Sequence, residues 1–229
     1  MKKNLSVPEL QNSIWPEQLK SALGENLISA FVHGDCLMEG FNSMEKPWTV
    51  SFILKDNSNQ SLDALRTLLP KAKKENLEFR YFFTLKEIQT SEDVYPLEFL
   101  HIASRNETIA GQQPLPGYKP NLEKLRLECE RELRGFLIRL RQSFIYLKED
   151  RNPLGFFVRA NETMLPIMYG VYYLQHGNYP NCHQQIFDAF PTLMTPASSR
   201  DEKLFLESVN NYISTVTEIV NLVDTMEVK

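Results

Sequence analysis

Two apolar runs joined through a glycine turn constrain this chain more than any other stretch. Residues 27–33 and 48–54 each have the length and composition of a buried strand. Gly34-Asp35 follows the first run directly, and Gly40 comes shortly after it. This spacing predicts a strand, a tight turn, a short helix and a second strand.

The rest of the first half predicts a small mixed sheet with few helices. Further strands are predicted at 77–83 and 95–102, and helices at 16–23 and from Ser61 onward, with Pro70 bending or ending the second helix. A connector rich in proline and glycine occupies 111–120. We therefore expect an α/β domain at 1–117 and a helical domain at 118–229.

The second half contains the strongest periodic signal. Asn121 is suited to cap a helix, and the apolar residues after it step by three or four: Leu122, Leu125, Cys129, Leu133, Phe136, Leu137, Leu140, Phe144 and Leu147. Further helices are predicted at 156–174, with a disturbance at Pro166, at 182–190 and at 200–226. The sequence thus predicts an α+β fold, a small mixed sheet followed by a helical bundle.

Composition narrows the range of partners. The net charge is −4, which gives no reason to expect nucleic acid or an acidic membrane surface as a partner. The longest apolar run, 164–174, is shorter than the roughly 20 residues of a membrane span. No apolar segment follows the lysines at 2 and 3, and the three cysteines form no CxxC pair. We therefore expect a cytoplasmic protein with reduced thiols.

The first half resembles the nucleotidyltransferase superfamily, in particular its minimal and kanamycin-type members. The signature of that family is a strand, Gly-Ser, a short gap and Asp-x-Asp on the next strand. Here Gly34-Asp35 takes the Gly-Ser position, and Gly40-Phe41 resembles the small-residue turn that follows. The resemblance implies a sheet domain that binds a nucleotide through this turn.

Later parts of the chain extend the resemblance. Residues 93–102, with Glu98, resemble the strand that carries the family's third acid, and 107–111 resemble the segment after it. Residues 129–142 and 212–226 resemble the first and last helices of the bundle in bacterial relatives. The resemblance therefore implies Glu98 as the one candidate catalytic acid.

The chain departs from the family at the metal site. The family's paired acids hold Mg²⁺ against the nucleoside triphosphate. Aligning strand ends puts Pro47 and Thr49 at those positions, and 46–55 contain neither Asp nor Glu. Asp35 stands in place of a serine and would repel phosphate oxygens. The resemblance thus implies the fold without the metal pair.

Two readings of the remaining acids stay open. Asp35, Glu39, Glu45 and Glu98 could form a rearranged metal site. Alternatively, Glu39 and Glu45 are solvated loop acids, and Glu98 pairs with a cation such as Arg80 on the neighbouring strand.

Other side chains near the turn and on the long helix also have two readings each. His33 either lies in a cleft or is a half-buried strand histidine, and Cys36 is either a reactive thiol at a helix N-terminus or inert. Arg134 and Arg141 are seven residues apart and so share a helix face. They either bind an anion opposite Gly34 and Asp35 or form a solvated face paired with neighbouring glutamates.

Three functional hypotheses follow. The first is a catalytically degenerate nucleotidyltransferase-like protein that binds a nucleotide or small molecule and needs no cofactor. The second is an active enzyme that transfers NMP to a small hydroxylated, aminoglycoside-like acceptor and requires Mg²⁺ and a nucleotide. The third is a helical interaction module that forms a homodimer.

Overall fold

The computed structural model describes residues 6–38, 41–147, 153–194 and 202–228, which belong to two compact units, 1–120 and 121–229. The first unit is built on four strands: β1 (Leu27–His33), β2 (Trp48–Leu54), β3 (Leu77–Thr84) and β4 (Asn106–Gly111). The strand order is β3-β2-β1-β4, with β1 antiparallel to both neighbours and β2 parallel to β3. The small mixed sheet and the α+β class are confirmed.

Six helices of this unit cover the two faces of the sheet: α1 (Val7–Gln11), α2 (Trp15–Leu23), α3 (Asn59–Arg66), α4 (Leu69–Lys74), α5 (Leu85–Thr90) and α6 (Pro96–Ser104). Apolar residues of α1 to α4 pack on one face, against alternate residues of β1 and β2. Residues of α5 and α6 pack on the other face, around Phe31, Ile53 and Phe99. Burial of both sheet faces supplies the core of the unit.

The prediction of a strand at 95–102 is wrong, because Pro96–Ser104 form α6 and the fourth strand is Asn106–Gly111. Pro96 begins the helix, where its missing N–H costs nothing. Leu97 and Leu100, and likewise Phe99 and Ile102, are three residues apart and buried. A short run that is apolar on every side fits a strand or a buried helix equally well, so periodicity alone does not decide between them.

The helix predicted from Ser61 onward is two helices. The Ser58 hydroxyl caps α3 by accepting from the Ser61 amide, and Pro70 lies in the first turn of α4. At the end of β4, Gly111 has φ +85°, and a Cβ there would collide with the Ile28 carbonyl of β1. Glycine at this position allows the edge strand to close onto the sheet.

The second unit is helical throughout its regular elements: α7 (Leu122–Tyr146), α8 (Pro153–His176), α9 (His183–Ala189) and α10 (Glu202–Asp224). The Asn121 side chain accepts from the Lys124 amide and caps α7, and both α8 and α10 pack against α7. The helix α8 runs through Pro166 without ending there. None of the helices in the described ranges is long and apolar enough to cross a membrane.

Candidate functional site

The candidate site begins at the turn that follows β1. Residues Gly34–Leu37 form a single 3₁₀ turn, with Asp35 exposed in it. Gly34 has φ +72°, whereas nothing lies within 4 Å of a Cβ placed there. The turn therefore requires glycine for its backbone conformation and not for space.

The next element, β2, presents alternate side chains to opposite faces of the sheet. Trp48, Val50 and Phe52 belong to the core under α1 to α4, so Thr49 and Ser51 face the α5 and α6 side with Ile53. Carboxylates two residues apart would share one of these faces. The β2 residues on the α5 and α6 side, called the site face below, are Thr49, Ser51 and Ile53, and none of them is Asp or Glu; Pro47 directly precedes the strand.

A buried hydrogen-bonded cluster occupies the site face beside Thr49. His33 is 8% exposed, and its Nε2 lies 2.9 Å from the Ser51 Oγ. The Ser51 Oγ also accepts from the Tyr81 amide at 3.3 Å. The rings of His33 and Tyr81 stack with centroids 5.7 Å apart. The site face next to Thr49, one of the two positions that the sequence assigned to the metal pair, therefore carries uncharged hydrogen-bonding groups.

The charge at this cluster disfavours a cation. Burial, together with the positive charge of Arg80, lowers the pKa of His33 from 6.5 to about 4, so the imidazole is neutral at physiological pH. The Arg80 guanidinium lies over the Tyr81 ring, 5.5 Å from its centroid. A divalent cation placed here would meet no carboxylate of β2 and would be repelled by Arg80.

The structure also places the other acids that the sequence singled out. Glu98 lies in α6 and not on a strand, and one of its carboxylate oxygens is buried without a hydrogen-bond partner in the described chain. The described residues give no ion pair between Glu98 and Arg80. Glu45 is exposed and accepts from Asn42 Nδ2 at 2.9 Å.

The proposed rearranged metal site receives no support from these positions. Within the described ranges, no group of three or more His, Cys, Asp or Glu side chains is arranged to hold a metal ion. Glu39 and Gly40, which were assigned to this site and to the second turn, lie outside the described residues.

Arg134 and Arg141 both lie on α7, in the second unit. Arg134 pairs with Glu130 at 2.7 Å and with Asp224 at 3.1 Å. The hydrogen bond from Arg134 lowers the pKa of Glu130. Arg141 is exposed, and no described residue forms an ion pair with it. Arg134 therefore fits the reading of a helix face paired with glutamates, and anion binding opposite Gly34 and Asp35 stays a prediction.

A cavity of about 770 Å³ lies beside the turn, on the Trp48 side of β2. Its apolar lining includes Cys36, Met38, Phe41 and Trp48, and its polar lining includes Ser6, Glu9, Arg105, Asn106 and Glu107. The Trp48 Nε1–H is buried and has no acceptor among the described residues. The cavity thus combines an aromatic wall with charged groups of both signs.

Cys36 does not supply a nucleophile to this cavity. Its Sγ donates to the His33 carbonyl at 3.0 Å, and burial raises the pKa of the thiol from 9.0 to about 11. The thiolate required for reaction is therefore scarce at neutral pH, which favours the inert reading of Cys36.

Comparison with known proteins gives the fold alone. No family model matches the chain, and no curated protein matches it either. Among solved structures, the chain is similar to spectinomycin adenyltransferase AAD(9) from Enterococcus faecialis, crystallised with ATP and spectinomycin. The TM-score is 0.50 at 11% identity, over 90% of this chain and 98% of that one. The chain thus has a nucleotidyltransferase-like fold.

Proposed function

We propose that this chain is a catalytically degenerate nucleotidyltransferase-like protein that works by binding a small molecule or by regulation. One observation carries the proposal: Pro47 and Thr49 stand where the alignment of strand ends puts the family's carboxylates, and the site face of β2 carries none. The buried pair of Ser51 with neutral His33 occupies that face, with Arg80 nearby. Metal-dependent transfer requires anionic ligands that offset the charge of the phosphates.

The binding role is proposed for the cavity beside the glycine turn. Glu9 and Glu107 outnumber Arg105 among its charged lining residues, so the cavity is suited to a neutral or cationic polar molecule more than to a triphosphate. The exposed Asp35 next to it adds a further negative charge. A nucleotide bound at Gly34 and Asp35 is the alternative ligand, and anion binding by Arg134 and Arg141 of the second unit is a separate prediction.

The decisive experiment measures nucleotidyl transfer. The purified full chain is incubated with radiolabelled nucleoside triphosphates, Mg²⁺ or Mn²⁺ and a panel of hydroxylated acceptors, with spectinomycin adenyltransferase as the positive control. We expect no transfer. NMP transfer that Glu98→Gln abolishes and the exposed-residue control Glu92→Gln leaves intact would overturn the proposal and support the active enzyme, whose structural neighbour was crystallised with ATP and spectinomycin.

Binding is tested separately by tryptophan fluorescence. The chain has two tryptophans, and only Trp48 lines the cavity, so Trp15→Phe leaves a single reporter there. We expect a polar small molecule from a nucleoside and amine panel to change Trp48 emission equally with and without Mg²⁺. A response that requires both a triphosphate and Mg²⁺ would contradict the proposed absence of a metal site.

A dimerisation role rests on a different observation. Ile138 and Ile145 on α7 are 57% and 73% exposed, seven residues apart and hence on one helix face. These two side chains on one helix face are the observation on which the homodimer hypothesis depends. Light scattering on the wild-type chain and on Ile138→Asp tests the homodimer: a dimer that the substitution converts to a monomer supports it.

A further inference from the structure

The helical unit contains a second cavity, of about 540 Å³, between α7 and α8. This volume lies within the range of about 300–1,000 Å³ that is typical of small-molecule sites. Five of its lining residues are apolar and buried: Phe136, Leu140, Leu147, Phe156 and Ala160. The inner wall of the cavity is therefore suited to a hydrocarbon or aromatic body.

Among the described residues that line this cavity, the charged ones are both arginines. Arg139 from α7 and Arg159 from α8 both line it, together with Gln142, Ser143, Tyr146 and Thr163. None of the described residues that line it is Asp or Glu. The cavity thus joins an apolar interior to two guanidinium groups, which bind carboxylates well because their N–H donors match the carboxylate oxygens.

Arg139 and Arg141 differ from the other arginines of α7 in their surroundings, and of these two Arg139 is the one that lines the cavity. Arg126, Arg131 and Arg134 form ion pairs with glutamates, whereas no described residue forms an ion pair with Arg139. A Cβ placed at Gly135 would lie 3.5 Å from the Arg139 Nη1, so the guanidinium folds back along the helix over this glycine. Its charge is therefore not neutralised by its neighbours in the described chain.

We propose that this cavity binds a small amphipathic anion, a single carboxylate on an apolar body. The apolar body lies among Phe136, Phe156 and Ala160, and the carboxylate accepts hydrogen bonds from Arg139, with the positive charge of Arg159 in the same lining. Burial of the apolar body supplies most of the affinity, and the arginines supply selectivity for the anion. This site lies within the second unit and does not depend on the function proposed above.

The test titrates the full chain with decanoate by calorimetry, beside decan-1-ol, which lacks the charge, and acetate, which lacks the apolar body. We expect saturable binding of decanoate, weaker binding of decanol and none of acetate. Arg139→Gln should weaken decanoate binding by roughly fivefold, the contribution of a partly exposed charge pair, and leave decanol binding unchanged.

Two further variants make the test specific. Arg141→Gln removes an exposed arginine two residues along the same helix that does not line the cavity, and it should leave decanoate binding unchanged. Ala160→Phe fills the cavity and should abolish binding of both ligands, with its fold checked by circular dichroism. The proposal would be overturned by no decanoate binding, by equal binding of decanoate and decanol, or by equal effects of Arg139→Gln and Arg141→Gln. The two arginine variants decide the question even if Ala160→Phe fails to fold.

Discussion

The two faces of the four-stranded sheet differ in what their central strands present. On the face covered by α1 to α4, the central strands supply hydrocarbon: Ala30, Val32, Val50, Phe52 and Leu54, all at most 1% exposed. On the opposite face the same two strands supply His33 and Ser51 beside Phe31 and Ile53. Because both faces belong to the same strands, local backbone structure does not explain the difference.

The contrast separates positions of the sheet that packing alone constrains from positions that can carry polar groups. Side chains on the apolar face must fill the core with the right shape and volume, so these residues are informative about the fold and not about function. The other face tolerates buried polar groups because His33 and Ser51 bond each other, and it is the face of Thr49, where the alignment of strand ends puts one of the expected carboxylates. Substitutions on the two faces should therefore differ in size and in their dependence on pH.

The largest effect is expected on the apolar face. Phe52 is fully buried and contacts Phe79 and Phe82 through its ring. Phe52→Ala removes this packing and leaves a cavity, which should lower the free energy of unfolding by about 3–5 kcal/mol in urea denaturation. Val94→Ala, at an exposed apolar residue of the same unit, should change it by less than about 0.5 kcal/mol. Similar losses of unfolding free energy in both variants would mean that packing on the apolar face is not what stabilises the unit, and the comparison of the two faces would lose its basis.

The polar face should be recognised by its pH dependence. The pKa of His33 is about 4 in the folded chain and 6.5 when unfolded, so the unfolded chain binds the proton first as the pH falls. The contribution of His33 to the free energy of unfolding is fully present above pH 6.5 and is lost as the pH falls to 4. The loss amounts to about 3 kcal/mol.

Urea denaturation of wild type and His33→Gln between pH 7.5 and 4 measures this loss. The variant should lack the part of the acid destabilisation that belongs to His33. Equal pH profiles for the two proteins would mean that the pKa of His33 is the same in the folded and the unfolded chain, and the cation-excluding environment proposed for the site would fail with it.

The sequence predicted the strands of these two faces well, because β1, β2 and β3 are rich in β-branched and aromatic residues and bounded by turn residues. It failed at α6, where burial on all sides hides the helical period. The helices α1 and α5 were missed although both begin with a capping box, Ser6 with Glu9 and Thr84 with Glu87. That signal was available in the sequence as S-x-x-E and T-x-x-E.

The candidate site was less predictable than the fold. The absence of carboxylates from β2 is evident in the sequence, but the pairing of His33 with Ser51 is not, because it depends on the register of β1 against β2. The register pairs Phe31 with Ser51 and Val32 with Val50. Tyr81 joins the cluster only because β3 lies beside β2, a contact between distant parts of the chain that periodicity does not encode.

A third, smaller effect is expected at Ser51. Ser51→Ala leaves the His33 ring and the Tyr81 amide without their partner in a buried place, which should cost about 1–3 kcal/mol in the free energy of unfolding. The cost should fall when His33 is already Gln, since part of it belongs to the pair. A double-mutant cycle at pH 7.5 measures this coupling, and equal costs in both backgrounds would show that the two side chains act independently.

The smallest effect is expected at Thr49, one of the two positions that the alignment of strand ends assigned to the metal pair. Thr49 is half-buried on the same face as Ser51, so Thr49→Ala loses only the strand preference of a β-branched residue, below about 1 kcal/mol. The variant should be as insensitive to Mg²⁺ as the wild type in thermal unfolding. A stabilisation of the wild type by Mg²⁺ that Thr49→Ala removes would place a cation on this face. In that case the two faces would differ as a packed core differs from a metal site. Uncharged side chains would then bind the cation where carboxylates were expected.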